Sequence, residues 1–194
     1  STLSRRAALV TPGSTCYRPS VVILPIHDAV TFVLVTPHYP ENVGAAARAI
    51  KTMGFGHLTL VRPGRLAMPT HEMARKMAVK SLDVLERATL VASVEDAIAG
   101  SQCVVATTSR RGQSGVLTPR PLAREVVERV GRGEQIAILF GNEKTGLSAE
   151  EVALAHRCLR IPMAAEQPSI NLAQAVQVIA YELLTTALIA QDAS

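Results

Sequence analysis

The sequence predicts an α/β domain built on a mostly parallel sheet with helices on both faces. Three observations carry that expectation. Apolar runs of strand length alternate with helical patterns along the chain. The runs are apolar at nearly every position, as strands covered on both faces must be. With 194 residues, 48% of them hydrophobic, the chain can close one core without disulfide staples. Residues 1–29 read as a leader of no specified structure, and residues 30–194 as the domain.

TFVLVT (Thr31 to Thr36) is the first predicted strand, followed by a helix from Glu41 to a stop at Gly54. His57 to Val61 is the second strand. A polar, basic segment with Pro63, Gly64 and Pro69 leads into helical material over 70–88, and TLVA is compatible with a short strand. Ser93 and Asp96, at capping-box spacing, open a short helix that closes at Gly100. QCVVAT (102–107) is a strand, 119–130 a helix with proline near its start, and QIAILF (135–140) a strand. Ser148 and Glu151 cap another short helix, Cys158 to Ile161 is the last strand, and 171–190 the last helix. That helix is nearly apolar all round and almost long enough to span a bilayer, but Gln174, Gln177 and Glu182 would be costly at mid-depth. A buried helix outside any membrane is expected. Its all-round apolarity, with the small side chains of Ala45 to Ala49, predicts a homodimer.

Composition narrows the partners. Lys and Arg total 20 against 16 Asp and Glu, and a net charge of +4 suits a polyanion without requiring one. Aromatics are 3% with no tryptophan, which argues against a groove that stacks bases on rows of rings and leaves RNA backbone and ribose as the handles. Cys16, Cys103 and Cys158 are too few and too far apart for a disulfide framework or thiol metal knuckle, and fit a reducing, cytoplasmic setting. The five histidines form no HxxxH or HxH pair, so no metal is expected.

Ligands of α/β sheets collect at the carboxyl ends of strands. The loop after the first strand holds only Gly44 where a dinucleotide site needs G-x-G-x-x-G, which disfavours NAD and FAD. It offers Asn42 at a helix start and Arg48 nearly two turns on. Gly141 to Ser148 (GNEKTGLS) follows the QIAILF strand, and its two glycines let backbone groups approach a ligand. Pro162 to Ala173 follows CLRI and carries Ser169 and Asn171 into a helix start. In a parallel sheet these three loops converge.

PENVGAAARAIKTMGF, ILFGNEKTGLS and IPMAAEQPSINLAQAVQVIAYE, in this order and within a likeness running from about Thr31 to Leu188, resemble the SPOUT superfamily of RNA methyltransferases. The nearest likeness is to the SpoU/TrmH branch and its TrmJ-type tRNA ribose methyltransferases. The resemblance implies a C-terminal deep trefoil knot and S-adenosyl-L-methionine as cofactor. It implies 2′-O-methylation of a ribose in RNA, in tRNA before rRNA. Carried over by position, the cofactor cleft comprises Thr107, Thr108, Ser109, Phe140, Gly141, Asn142, Gly146, Ile161, Met163, Ser169, Asn171, Leu172 and Ala173. Asn42, Arg48, Glu143, Ser169 and Asn171 fall on the positions used around the acceptor ribose. Arg48 is the family's proposed activator, yet a guanidinium has no acceptor and a very high pKa. A phosphate clamp that stabilises the developing 2′ oxyanion suits it better. Asn42 would then orient Arg48 or the ribose, with Glu143 and Ser169 fixing the network.

TrmJ-type enzymes usually carry a further helical extension, whereas this chain stops at Ser194. RNA contacts are expected from Arg62 and Arg65 after the second strand and from Arg110, Arg111 and Arg120 near QCVVAT, as a phosphate track beside Arg48. The competing reading is a knotted module that binds S-adenosylmethionine or RNA without transfer, and intact Arg48, Asn42, Glu143 and Ser169 speak against it. A nucleotide-dependent oxidoreductase would need the glycine-rich phosphate contacts that are missing.

Overall fold

A computed structural model of the chain describes residues 22–109, 114–164 and 170–193. Among these residues the strands are β1 (Val30–Val35), β2 (His57–Val61), β3 (Thr89–Val91), β4 (Cys103–Thr107), β5 (Val116–Leu117), β6 (Ile136–Phe140) and β7 (Arg157–Leu159). They form one sheet in the order β3-β2-β1-β6-β4-β7-β5, with every pairing parallel. The helices are α1 (Pro25–Ala29), α2 (Pro40–Thr52), α3 (Glu72–Ala78), α4 (Leu82–Glu86), α5 (Val94–Ile98), α6 (Pro119–Gly131), α7 (Ala149–Ala153) and α8 (Leu172–Asp192), with a 3-10 turn at Arg65–Ala67.

Strand alternation divides the core in two. Phe32, Leu34, Leu58, Leu60, Val105, Ile136, Ile138 and Phe140 point to the face covered by α1, α2, α3, α4, α6 and α8. There the Phe32 ring meets Phe55 at 5.2 Å and Phe140 at 6.1 Å. Val33, Val35, Val61, Val104, Ala106, Ala137 and Leu139 point to the other face, where Val94 of α5 and Val152 of α7 pack. Helices on both faces explain why the strands read as unbroken apolar runs.

Some boundaries differ from the sequence reading. The helical material over 70–88 is two helices, because Val79 adopts φ 53° after α3 and the chain restarts at Leu82. No glycine or proline marks this break. Strand β5, two residues long, and α1 were not foreseen. Within residues 22–29, Leu24, Ile26, His27 and Ala29 are buried while Ile23 is exposed, and the His27 Nδ1 accepts the Leu24 N–H at 3.2 Å. Burial lowers the His27 pKa. Helix α8 is long and apolar enough to cross a bilayer by length and composition. Here it packs on α6 and α2 through Val176, Ile179, Ala180 and Leu183, while Tyr181 and Ile189 stay exposed. Cys103 is buried and Cys158 half-buried, both as free thiols, and burial pushes the Cys103 thiol up.

From β1 the chain steps to β2 and β3 on one side, while β6, β4, β7 and β5 lie on the other. The loops after β1 and β6 therefore leave the sheet side by side, with those after β4 and β7 next to them.

Candidate active site

The carboxyl edge begins with a turn that only a fixed frame would hold. Thr36 and Arg62, the residues just past β1 and β2, adopt φ 49° and 43°, a region sparsely populated by non-glycine residues. Each continues the parallel ladder through its N–H, Thr36 to the Val61 carbonyl at 2.8 Å and Arg62 to that of Val91 at 3.0 Å. The chain past Thr36 then folds over the edge to Pro40, which opens α2 and puts Asn42 in its first turn.

Glu143, from the loop after β6, ties this turn down. Its Oε2 accepts the His38 N–H at 3.0 Å, and its Oε1 accepts the Tyr39 N–H at 3.4 Å and the Asn42 amide at 2.8 Å. A carboxylate only accepts, so the Asn42 Nδ2 faces Glu143 and its Oδ1 faces away. That oxygen takes a hydrogen bond from the Asn171 amide at 2.9 Å. The Asn171 Oδ1 in turn caps α8, accepting the N–H groups of Ala173 at 3.0 Å and Gln174 at 3.2 Å. Three loops 101 and 129 residues apart are thus joined by Glu143, Asn42 and Asn171.

The loop after β6 is folded on itself. Asn142 Oδ1 accepts the N–H groups of Lys144 and Thr145, both at 2.9 Å, and the Gly146 N–H reaches the Asn142 carbonyl at 3.0 Å. A Cβ on Gly141 would stand 2.2 Å from backbone atoms of Gly146 and Leu147. Only glycine permits that approach. On the next strand the Thr107 hydroxyl donates to the Leu139 carbonyl at 2.9 Å and the Thr108 N–H to that of Leu159 at 2.8 Å, holding the β4 end against β6 and β7.

These loops enclose a cavity of about 570 Å³. Of the residues expected at a cofactor cleft, Thr107, Thr108, Ser109, Phe140, Gly141, Asn142, Gly146, Ile161, Met163, Asn171 and Leu172 line it, together with Asn42 and Glu143. Ala173 is nearly buried on α8 and meets the site only through its N–H on Asn171. Ser169 lies outside the described residues. Tyr39, Lys144, Thr145, Leu159, Arg160, Ile170 and Ala175 also line the cavity and were not anticipated, although each adjoins a motif residue. Arg48 does not line it. Six residues along a helix turn through about 600°, so Arg48 points well away from Asn42, and its side chain is exposed.

Of the arginines of the expected phosphate track, Arg62, Arg65 and Arg120 are described, and they stand on separate elements. Arg62 pairs with Glu151 of α7 at 3.0 Å, and Arg120 pairs with Glu182 of α8 at 3.2 Å in the groove between α6 and α8. Arg65 is exposed in the 3-10 turn, and Arg110 and Arg111 lie outside the described residues. Among the described residues no three His, Cys, Asp or Glu side chains gather as a metal site would need.

The tRNA (cytidine/uridine/adenosine-2′-O-)-methyltransferase TrmJ of Pseudomonas aeruginosa is 37% identical over 84% of this chain and 63% of its own length. The tRNA (cytidine/uridine-2′-O-)-methyltransferase TrmJ of Photorhabdus laumondii is 36% identical over 85% of this chain and 68% of its own. The chain thus spans about two thirds of the length of these curated relatives. The crystal structure of TrmJ from Z. mobilis ZM4 superposes with a TM-score of 0.73 and 36% identity, covering 80% of this chain and 69% of that one. The pattern of the SpoU rRNA Methylase family matches residues 29–181, from the start of β1 into α8 and across all three tied loops, and the chain belongs to that family.

Proposed function

We propose that this chain transfers a methyl group from S-adenosyl-L-methionine to a ribose 2′-hydroxyl of RNA, with tRNA as the substrate and the cytoplasm as the place of action. The observation that carries the proposal is the Glu143–Asn42–Asn171 chain at the mouth of the cavity, which joins three loops on one point. The names of the relatives support the substrate class. We further propose that the C-terminal segment is threaded as a deep trefoil knot, as the family likeness implies.

The cavity fits the cofactor. Its volume of about 570 Å³ lies in the range of small-molecule sites, roughly 300–1,000 Å³. Phe140, Leu159, Ile161 and Leu172 give it apolar walls for an adenine, and the turn at Gly141 offers backbone amides and carbonyls at close range. S-adenosylmethionine held there supplies a methyl group on a positively charged sulfur, open to in-line attack by an oxygen.

The residues of the chain then have separable tasks. The three hydrogen bonds that Glu143 accepts make it a positioning residue, which keeps the Pro37–Asn42 turn at the cavity mouth. Asn42 and Asn171 hold the ribose end of the site against the cofactor end, and alignment of the reacting atoms supplies much of the acceleration. Arg48 acts as a phosphate clamp that stabilises the developing 2′ oxyanion, the hydroxyl proton passing to an RNA phosphate or to water. Since it faces away from the cavity of its own chain, it serves a second copy, so the active form is a homodimer with composite sites. By the family likeness Ser169 also acts at the ribose, and Arg62, Arg65, Arg110, Arg111 and Arg120 contribute phosphate contacts.

Titration with S-adenosylhomocysteine tests the cofactor site, and raised thermal stability by mass action is expected. Arg48→Ala and Arg48→Lys are expected to lose transfer and keep cofactor binding, since lysine lacks the planar fork. Mixing Arg48→Ala with Glu143→Gln chains restores part of the activity if sites are shared between copies. A stable monomer with full activity would refute the shared site.

A further inference from the structure

The three phenylalanines of the chain, Phe32, Phe55 and Phe140, are at most 1% exposed and belong to the core. Of the described tyrosines, Tyr181 sits in the groove between α6 and α8, away from the sheet edge. Tyr39 is different. It lines the cavity and is 48% exposed, and its hydroxyl has no hydrogen-bond partner among the described residues. Its main chain is nonetheless fixed from both sides. Its N–H is held by Glu143 at 3.4 Å, and its carbonyl accepts the N–H groups of Asn42 at 3.2 Å and Val43 at 3.4 Å.

The geometry points to Tyr39 as the stacking platform for the base of the nucleotide that receives the methyl group. Tyr39 is the N-cap of α2 and Asn42 follows three residues on, so both stand on the same side of the first turn. A ribose placed at Asn42 and Glu143 carries its base out of the cavity mouth, where the exposed ring stands. The position is also braced from outside, since the Gly64 N–H donates to the Pro37 carbonyl at 2.9 Å and so lays the loop bearing Arg65 against this turn. A phenol ring has two side-chain torsions and loses little freedom on stacking. The low aromatic content argues against a groove of stacked bases, but one nucleotide needs one ring. Every base has a π-face, so this contact binds a nucleotide without choosing its identity.

This inference rests on the proposed RNA methyltransferase activity and assigns Tyr39 to the substrate rather than the cofactor. The test uses the full chain, labelled S-adenosylmethionine and bulk bacterial tRNA, with Tyr39→Ala and Tyr39→Phe beside the parent. The alanine variant is expected to lose roughly tenfold to a hundredfold in kcat/KM for tRNA, chiefly through KM, the range found when a stacking ring is removed. Its calorimetric affinity for S-adenosylhomocysteine and its Tm are expected to stay at the parent values, and the phenylalanine variant to keep parent kinetics. Parent kinetics in the alanine variant would overturn the assignment, as would a matching loss of S-adenosylhomocysteine affinity. A parent chain that binds S-adenosylhomocysteine but methylates no tRNA would remove the proposed function and this inference together, whereas an active parent with an indifferent Tyr39→Ala variant removes the inference alone.

Discussion

The two edges of the sheet carry polar networks of opposite design. At the amino edge Arg129 pairs with Glu125 at 2.8 Å and Glu134 at 2.7 Å, Arg157 shares Glu125 at 3.0 Å, and Arg132 shares Glu134 at 3.1 Å. Every member has charge in plenty, most have a second partner, and water reaches all of them. At the carboxyl edge one carboxylate, Glu143, serves two backbone N–H groups and one amide, and the chain continues through neutral side chains to the cap of α8. The first network is redundant and screened, so no single member decides much. The second is a series connection, in which each link sets the orientation of the next.

The sharpest break in that comparison comes from Glu143→Gln. The amide offers one acceptor oxygen where the carboxylate offered two, and it turns an NH2 toward existing donors. A shift of the Pro37–Asn42 turn by about 1 Å is expected to cost roughly a hundredfold in methyl transfer. Kinetics with tRNA check this, and S-adenosylhomocysteine affinity should change little. Gly141→Ala comes next. The new Cβ collides with the backbone of Gly146 and Leu147, so the loop must open. Cofactor affinity is expected to fall about tenfold, equivalent to about 1.4 kcal/mol, measured by calorimetry. At the amino edge Glu125→Gln should lower stability by a few tenths to about 1 kcal/mol, the range for pairs screened by water, and leave transfer untouched. Denaturant unfolding beside the activity assay distinguishes the two edges.

The smallest effect is in pH. Burial alone would raise the Glu125 carboxyl, but hydrogen bonds from Arg157 and Arg129 outweigh it and hold it below its ordinary value of 4.5. The Arg129 hydrogen bond likewise lowers Glu134. The folded chain therefore binds these protons less readily than the unfolded one. Their stabilisation is complete above about pH 4.5 and is lost as pH falls through the lower folded values. The gap in Tm between the parent and Glu125→Gln should accordingly close as pH is lowered from 6 to 3. A gap that stays constant would show that Glu125 acts by packing rather than charge.

Much of the fold was legible because the sheet is buried on both faces, so β1, β2, β4 and β6 announce themselves as apolar runs. What escaped has physical reasons. Two residues, Val116–Leu117, are too few to show a period, and Val79 bends the chain at a left-handed angle that no residue type there signals. At the site, residue types and their order pointed to Asn42, Glu143, Asn171 and the Gly141 turn, since each motif lies at a strand end. The links between them were not legible, because hydrogen bonds across 101 and 129 residues depend on the strand order β1-β6-β4-β7. The direction of Arg48 was open to helical geometry alone, since six residues along α2 carry it about 120° round from Asn42. Tyr39 was passed over because an aromatic beside a proline reads as ordinary loop chemistry until its exposure and fixed backbone are seen.

The proposed function requires that the tied carboxyl edge deliver a methyl group to a ribose. Incubating the chain with tRNA and S-adenosylmethionine labelled in the methyl group, then digesting the tRNA to nucleosides for mass spectrometry, tests it most directly. Label is expected on the sugar of a 2′-O-methylated nucleoside, and is expected to be lost with Glu143→Gln. Label on a base, or tRNA without label from a chain that binds S-adenosylhomocysteine, would contradict it.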